Sequence, residues 1–261
     1  MTERLAVVTG ASGGIGAEIA RTLSADGFYV VGQFRSGRGQ ASQLETVLAA
    51  SPAGGEVVEA DLATSAGLEA LIDAVRSRAS QSGLQVAILV NNAARMLGPS
   101  FVDATPDEFD EFVTINTKAP FFLAQSLSRD MAAGSSIVNI SSASAHIASA
   151  SDIVYAMTKS ALESLTRNMA EALAPAGIRV NAVMPGFTDN GHPAFSNETA
   201  VAYMSSLSML GGVATPSAIA DAVSFLVSER ANRTTGAVLD VSGGMSLHPR
   251  PHRHGSVRDL L

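Results

Sequence analysis

The sequence predicts an α/β protein: a single domain on a doubly wound, seven-stranded parallel sheet. Three observations predict it. Short β-rich apolar runs alternate with helix-length segments almost to the C-terminus, which is the signature of repeated right-handed βαβ units. Several of those runs are apolar on both faces, as strands are when helices cover both sides of a sheet. The first run passes straight into a glycine-rich turn and then a helical pattern, at the rim where open α/β sheets gather their ligands.

The strands are expected at residues 5–9, 29–34, 56–59, 86–91, 136–141, 179–184 and 237–241. The clearest helical segments are 15–25, 65–80, 106–132, 153–174 and 216–228. Pro106 and Pro216 sit where a first helical turn tolerates proline, and Thr105 and Thr215 precede them as candidate caps. Two segments break the rhythm. Residues 187–215 form a long stretch carrying Tyr203, Met204, Met209 and Leu210, and residues 248–261 are rich in Pro, His and Arg without periodicity. Long irregular insertions in compact domains are usually functional, so 187–215 is expected to cover the substrate and 248–261 to be a mobile tail. No repeat or linker divides residues 1–247, which read as one dinucleotide-binding catalytic domain.

Bulk composition narrows the function. Of 261 residues, 46% are hydrophobic and 16% charged, enough for a buried core and unlike a disordered chain. The net charge of −7 disfavours non-specific binding to nucleic acid or an anionic membrane. With no cysteine, disulfides, thiolate metal sites and a cysteine nucleophile are excluded. The first apolar run, 5–8, is too short for a signal sequence, and no stretch approaches the roughly 20 apolar residues of a membrane span. A cytoplasmic protein is expected, with no metal site.

The turn after the first strand reads Thr9-Gly10-Ala11-Ser12-Gly13-Gly14-Ile15-Gly16. Glycines there permit a tight turn and close backbone approach to a pyrophosphate, and the helix that follows offers free N–H groups and a positive dipole end. Gly10, Ser12, Gly14, Ile15 and Gly16 are therefore candidate cofactor contacts. The second strand ends at Phe34-Arg35, with no acid at 32–36 to take a ribose 2′-hydroxyl. Arg35 can instead pair its planar fork with a 2′-phosphate, which points to NADPH over NADH.

Tyr155-Ala156-Met157-Thr158-Lys159 places a phenol and an ammonium four residues apart, on one face of a helix. A free tyrosine titrates near 10, and a neighbouring cation is expected to draw it toward the working range. Ser142 lies thirteen residues earlier, just past the fifth strand, at the same rim as the glycine turn.

Together, T-G-x-x-x-G-x-G, Ile140-Ser141-Ser142, and Tyr155 with Lys159 resemble the short-chain dehydrogenase/reductase family and its Rossmann-type fold. Asn116 matches the asparagine that completes the family's tetrad, and further marks follow in order: Asp61, Asn91-Asn92-Ala93-Ala94, Pro185-Gly186 and the segment 240–245. The likeness spans about residues 5–246. It implies that Tyr155 donates a proton to a carbonyl oxygen as hydride arrives. Lys159 would lower the Tyr155 pKa and hold the nicotinamide ribose, Ser142 would bind the substrate oxygen, and Asn116 would position water in a proton relay. Asp61 and Leu62 would lie near adenine, and Asn91, Ala93, Pro185, Gly186 and Thr188 would line the cofactor site.

Departures from the pattern are Ala94, where the family commonly has glycine, and Asn190, where a threonine is common while Thr188 comes early. Two readings stay open for Ser144 and His146, as pocket lining or as plain loop residues; His192 reads as a surface residue, with contact to the substrate as the alternative. The resemblance is strongest to 3-oxoacyl-thioester reductases and to polyketide or aromatic ketone reductases. It implies NADPH-dependent reduction of a largely apolar ketone, free or as a carrier-bound acyl thioester, by a homotetramer paired through its long helices. Alcohol oxidation with NADP is the alternative, and a non-catalytic dinucleotide sensor a distant one. An extended-type sugar-nucleotide epimerase would show a different glycine spacing and a longer C-terminal domain.

Overall fold

The computed structural model describes residues 4–247; His248, His252, His254 and the rest of the tail lie outside the described residues. Seven parallel strands form one sheet in the order β3-β2-β1-β4-β5-β6-β7. They are β1 (Arg4–Val8), β2 (Tyr29–Phe34), β3 (Gly55–Glu59), β4 (Gln85–Asn91), β5 (Met131–Ile140), β6 (Arg179–Pro185) and β7 (Val238–Val241). The chain winds outward from β1 to β3, then crosses back to β4 and winds the other way. That reversal opens a crevice beyond the carboxyl ends of β1 and β4.

Alternation along the strands fills two cores. Leu5 and Val7 face one side of the sheet with Leu71, Val75, Leu123, Leu127 and Met169. Ala6 and Val8 face the other with Ile19, Leu23, Leu44, Leu48, Ile219 and Val223. The helices supplying the first core are α3 (Ser65–Ser82), α5 (Ala119–Leu127) and α6 (Ile153–Leu173). The second core draws on α1 (Gly14–Ala25), α2 (Arg38–Ala49) and α8 (Pro216–Val227). Each fully buried leucine or isoleucine here contributes roughly 1.5–3 kcal/mol from apolar burial, so both faces hold the sheet rigid beneath the crevice.

All seven expected strands are present, and four differences bear on function. First, α2 was not expected; only Ala41, Leu44 and Leu48 of its twelve residues are buried, too sparse a stripe to read. Second, the single helix expected over 106–132 is α4 (Pro106–Val113), a π-helical turn (Thr114–Lys118) and α5, after which the chain enters β5 at Met131. Third, the stretch 187–215 contains its own helix, α7 (Glu198–Ser206), capped by the Asn197 side chain on the Ala200 N–H. Fourth, Thr105 caps α4 in a reciprocal box with Glu108, whereas Thr215 makes no cap bond to α8, and its hydroxyl pairs with Ser217 instead.

Candidate active site

The glycine turn is built by necessity. Gly10 and Gly14 take φ of +65° and +53°, the left-handed region that favours glycine. A Cβ on Gly16 would stand 2.2 Å from the Gly10 carbonyl oxygen, so the helix can pack on the turn only without a side chain. Helix α1 begins at Gly14 with no side-chain cap and no acid in its first turn, leaving its N–H groups and positive dipole end available to an anion. Sequence reasoning missed what holds this turn in place. Gln33, buried in β2, accepts the Gly10 N–H at 2.9 Å and donates to the Ala60 carbonyl at 2.6 Å. Asn92 donates to the carbonyls of Thr9 and Gly10. The signal was a glutamine and an asparagine amid apolar strand ends.

The expected cofactor residues fall around this turn with different duties. Ile15, Pro185, Gly186 and Thr188 line the large cavity, and the Ala93 N–H is held by the Thr9 hydroxyl at 3.0 Å. The Ser12 side chain lies beside Gly37, the residue before α2. Asp61 follows β3 and accepts the Ala63 N–H, with Leu62 buried next to it. Arg35 is exposed at the end of β2. Arg38, on the unforeseen α2, stacks over Phe34 and pairs with Glu59. Asn91 does not reach the cavity. It is buried in the sheet, donating to Asn139 at 2.8 Å, while Asn139 donates to Thr166 at 2.9 Å; the three tie β4 and β5 to α6.

Helix α6 carries the acid–base pair. Tyr155 and Lys159 are both buried and line the cavity with Ser142. Tyr155 is pushed up to about 12, first by burial, with the Asp152 charge adding to it and a hydrogen bond with Ser142 opposing it. Burial draws Lys159 down to about 8, and its Nζ donates to the Ile140 carbonyl at 2.7 Å. Lys159 was expected to lower the Tyr155 pKa, and here it does not. Its Nζ lies 5.7 Å from the phenol ring centre and is engaged on β5, so desolvation wins. The phenol is therefore an acid that stays protonated at neutral pH.

Asn116 lies in the π-helical turn, fully buried. Such bulges often mark functional positions. Its amide donates to the Arg95 carbonyl and the Thr158 hydroxyl, both at 3.0 Å, and its Oδ1 accepts the Arg95 N–H at 2.8 Å. Both amide protons are committed, so a relay water could meet Asn116 only as a donor to Oδ1. In this state Asn116 joins the loop after β4 to the helix turn between Tyr155 and Lys159.

The cavity has a volume of about 520 Å³ and a predominantly apolar wall, including Met96, Leu97, Ile147, Phe187, Phe195 and Met204. Ala94, which stands in place of glycine, is part of that wall. Ser144 also lines it, while His146 turns away to Glu163. His192, expected at the surface, is a wall residue, with its Nδ1 accepting the Ala194 N–H. Asn190 sits over the glycine turn, 2.9 Å from where a Gly14 Cβ would be. Among the described residues no cluster of metal-ligating side chains occurs and no helix is long and apolar enough to cross a membrane.

An uncapped helix start behind a glycine turn, opening onto a buried tyrosine and lysine and a half-buried serine, defines a dinucleotide-dependent oxidoreductase. Comparison with known proteins specifies which kind. Residues 10–246 match the family described as enoyl-(acyl carrier protein) reductase, a branch of the short-chain dehydrogenases/reductases, and the chain belongs to that superfamily. L-xylulose reductase of Mesocricetus auratus is 37% identical over 246 residues, covering 92% of this chain and 96% of its own. L-rhamnose 1-dehydrogenase (NAD(P)(+)) of Azotobacter vinelandii is 34% identical, covering 94% and 97%. Among solved structures, the angucycline C-6 ketoreductase LanV with bound NADP superposes with a TM-score of 0.90 at 37% identity, over 95% of this chain and 97% of that one. The protein is thus an oxidoreductase acting on CH–OH or C=O groups with a nicotinamide dinucleotide. The cradle fits that group: an uncapped helix start and three glycine positions that a Cβ would strain or block.

Proposed function

We propose that the protein reduces a largely apolar ketone to a secondary alcohol with NADPH. The observation that carries this reading is geometric: the buried Tyr155 stands with Ser142 and Lys159 on the wall of an apolar cavity. Reduction needs a proton donor at the carbonyl oxygen. The relatives that act on sugars have polar substrates by name, but the Met, Leu, Ile and Phe wall suits an aromatic or acyl ketone better.

When bound, the dihydronicotinamide supplies the hydride. The protein's own part is positioning and proton transfer. The Ser142 and Tyr155 hydroxyls meet the substrate oxygen as negative charge develops on it, and the Tyr155 proton is then transferred to that oxygen. Lys159, one turn on, would hold the nicotinamide ribose. Gly10 to Gly16 with the start of α1 would hold the pyrophosphate, and Arg35 with Arg38 would take the 2′-phosphate. We also assign the exposed Phe109, Phe121, Phe122, Ile153 and Met157 on α4, α5 and α6 to contacts between copies in a tetramer.

The test is a panel of free ketones and acyl thioesters mixed with protein and NADPH. Consumption of NADPH with an aromatic or acyl ketone is expected. Consumption confined to sugars would replace the apolar substrate with a polar one.

A further inference from the structure

Buried carboxylates are costly unless hydrogen-bonded, and the chemistry above uses none. Yet Glu163 is buried on α6, four residues beyond Lys159, in line with Tyr155 and Lys159 on one helix face. It does not line the cavity. Its Oε1 accepts the Ser141 hydroxyl at 2.6 Å, and its Oε2 faces His146 Nε2 at 2.8 Å. A carboxylate only accepts, so the ring donates from Nε2.

Ser141 and His146 bracket the turn that presents Ser142. Within that turn the Ser142 hydroxyl accepts the Ser144 N–H, and the Ala145 N–H donates to the Ser142 carbonyl. Other residues of α6 grip the same segment: Lys159 Nζ on the Ile140 carbonyl and the Ser160 hydroxyl on the Ala145 carbonyl. Glu163 is the one residue of this helix that holds both ends of the turn at once. His146 also stands near Asp240. Burial acts to raise the Asp240 carboxyl, yet hydrogen bonds from Ser242 and Ser246, with His146 nearby, hold it below its usual range.

We propose that Glu163, acting through Ser141 and His146, is a positioning residue that fixes the Ser142 hydroxyl against Tyr155. This rests on the reductase reading for its kinetic consequence but not for its geometry. Misplacing a hydroxyl by about 1 Å can cost up to a hundredfold in rate, and Glu163 touches neither cofactor nor substrate.

The experiment compares Glu163→Met, Glu163→Gln and His146→Phe in the full chain, by steady-state kinetics, NADPH affinity and amide hydrogen exchange. Glu163→Met should lower kcat about ten- to a hundredfold with NADPH affinity unchanged, and should speed exchange within 141–147. Glu163→Gln should restore kcat to within about threefold, because its amide can accept from Ser141 and donate to a neutral ring. His146→Phe, at a half-exposed position, carries the test if Glu163→Met does not fold, and should produce a smaller loss of the same kind. Unchanged exchange in 141–147 overturns the proposal, as does loosened exchange with unchanged kcat, or a loss in Glu163→Gln equal to that in Glu163→Met. If no ketone is reduced by the parent while the variants loosen this turn, the reductase reading fails and the clamp stands.

Discussion

At Lys159, stability and function pull in opposite directions. Its pKa falls from 10.5 unfolded to about 8 folded because burial strips water from the ammonium. Between those values the unfolded state binds more protons than the folded one, so stability rises with pH. Below about 8 the full cost of burying the charge is present, on the order of 3 kcal/mol for a shift of this size. Chemical denaturation of the parent and of Lys159→Met from pH 7 to 10.5 should show the parent gaining about that amount relative to the variant. Parallel curves would mean that Lys159 is not desolvated as described. Tyr155 has the opposite sign: its raised pKa favours the folded state below about 10, and that contribution fades as pH climbs toward 12. Both residues and Ser142 were legible in the sequence because type, spacing and order along the chain coincide. The direction of the Tyr155 shift was not, because desolvation depends on what packs around the ring. Glu163 left a readable trace, an acid on the apolar face of a helix in register with Tyr155 and Lys159.

Among the elements, the strands were legible and some helices were not. The strands carry short clusters of β-branched and apolar residues such as Val30-Val31 and Val57-Val58, whereas α2 begins Arg38-Gly39-Gln40 and buries only one narrow stripe. The π-helical turn leaves no mark on a 3.6-residue pattern, so the sequence pointed to Asn116 but not to the widened turn that aims it at Arg95 and Thr158. Finding α2 sharpens the cofactor reading. Its N-terminus has no side-chain cap and no acid, and Arg35 and Arg38 flank it, a setting that favours a phosphate. Arg35→Asp should weaken NADPH binding tenfold or more and leave NADH nearly unchanged, measured as separate dissociation constants. Equal loss for both cofactors would remove Arg35 from the 2′-phosphate site.

For the whole molecule, the doubly wound topology brings the ends of β1, β4, β5 and β6 to one rim, and α6 presents Tyr155 and Lys159 to the cavity beside Ser142 and Pro185. Residues 187–215 begin at that rim, with Asn190 beside Gly14 of the glycine turn and a short bridge from Thr188 to Ala214. The opposite concern is what a lone subunit leaves uncovered. Phe121 and Phe122 on α5 and Met157 on α6 are each 40% exposed, and large apolar side chains in one region usually meet a partner. Sedimentation velocity should give a tetramer of this chain, and Phe121→Glu with Phe122→Glu should shift it to smaller species. A monomer in the parent would contradict the assignment.

If Tyr155 gives the proton in ketone reduction, its loss shows first in NADPH consumption by Tyr155→Phe beside the parent, followed at the nicotinamide absorbance band with an aromatic ketone. Turnover should fall about 10²- to 10⁴-fold while NADPH affinity and melting temperature hold near the parent values. Turnover close to that of the parent would contradict the account, because the proton would then come from some other group.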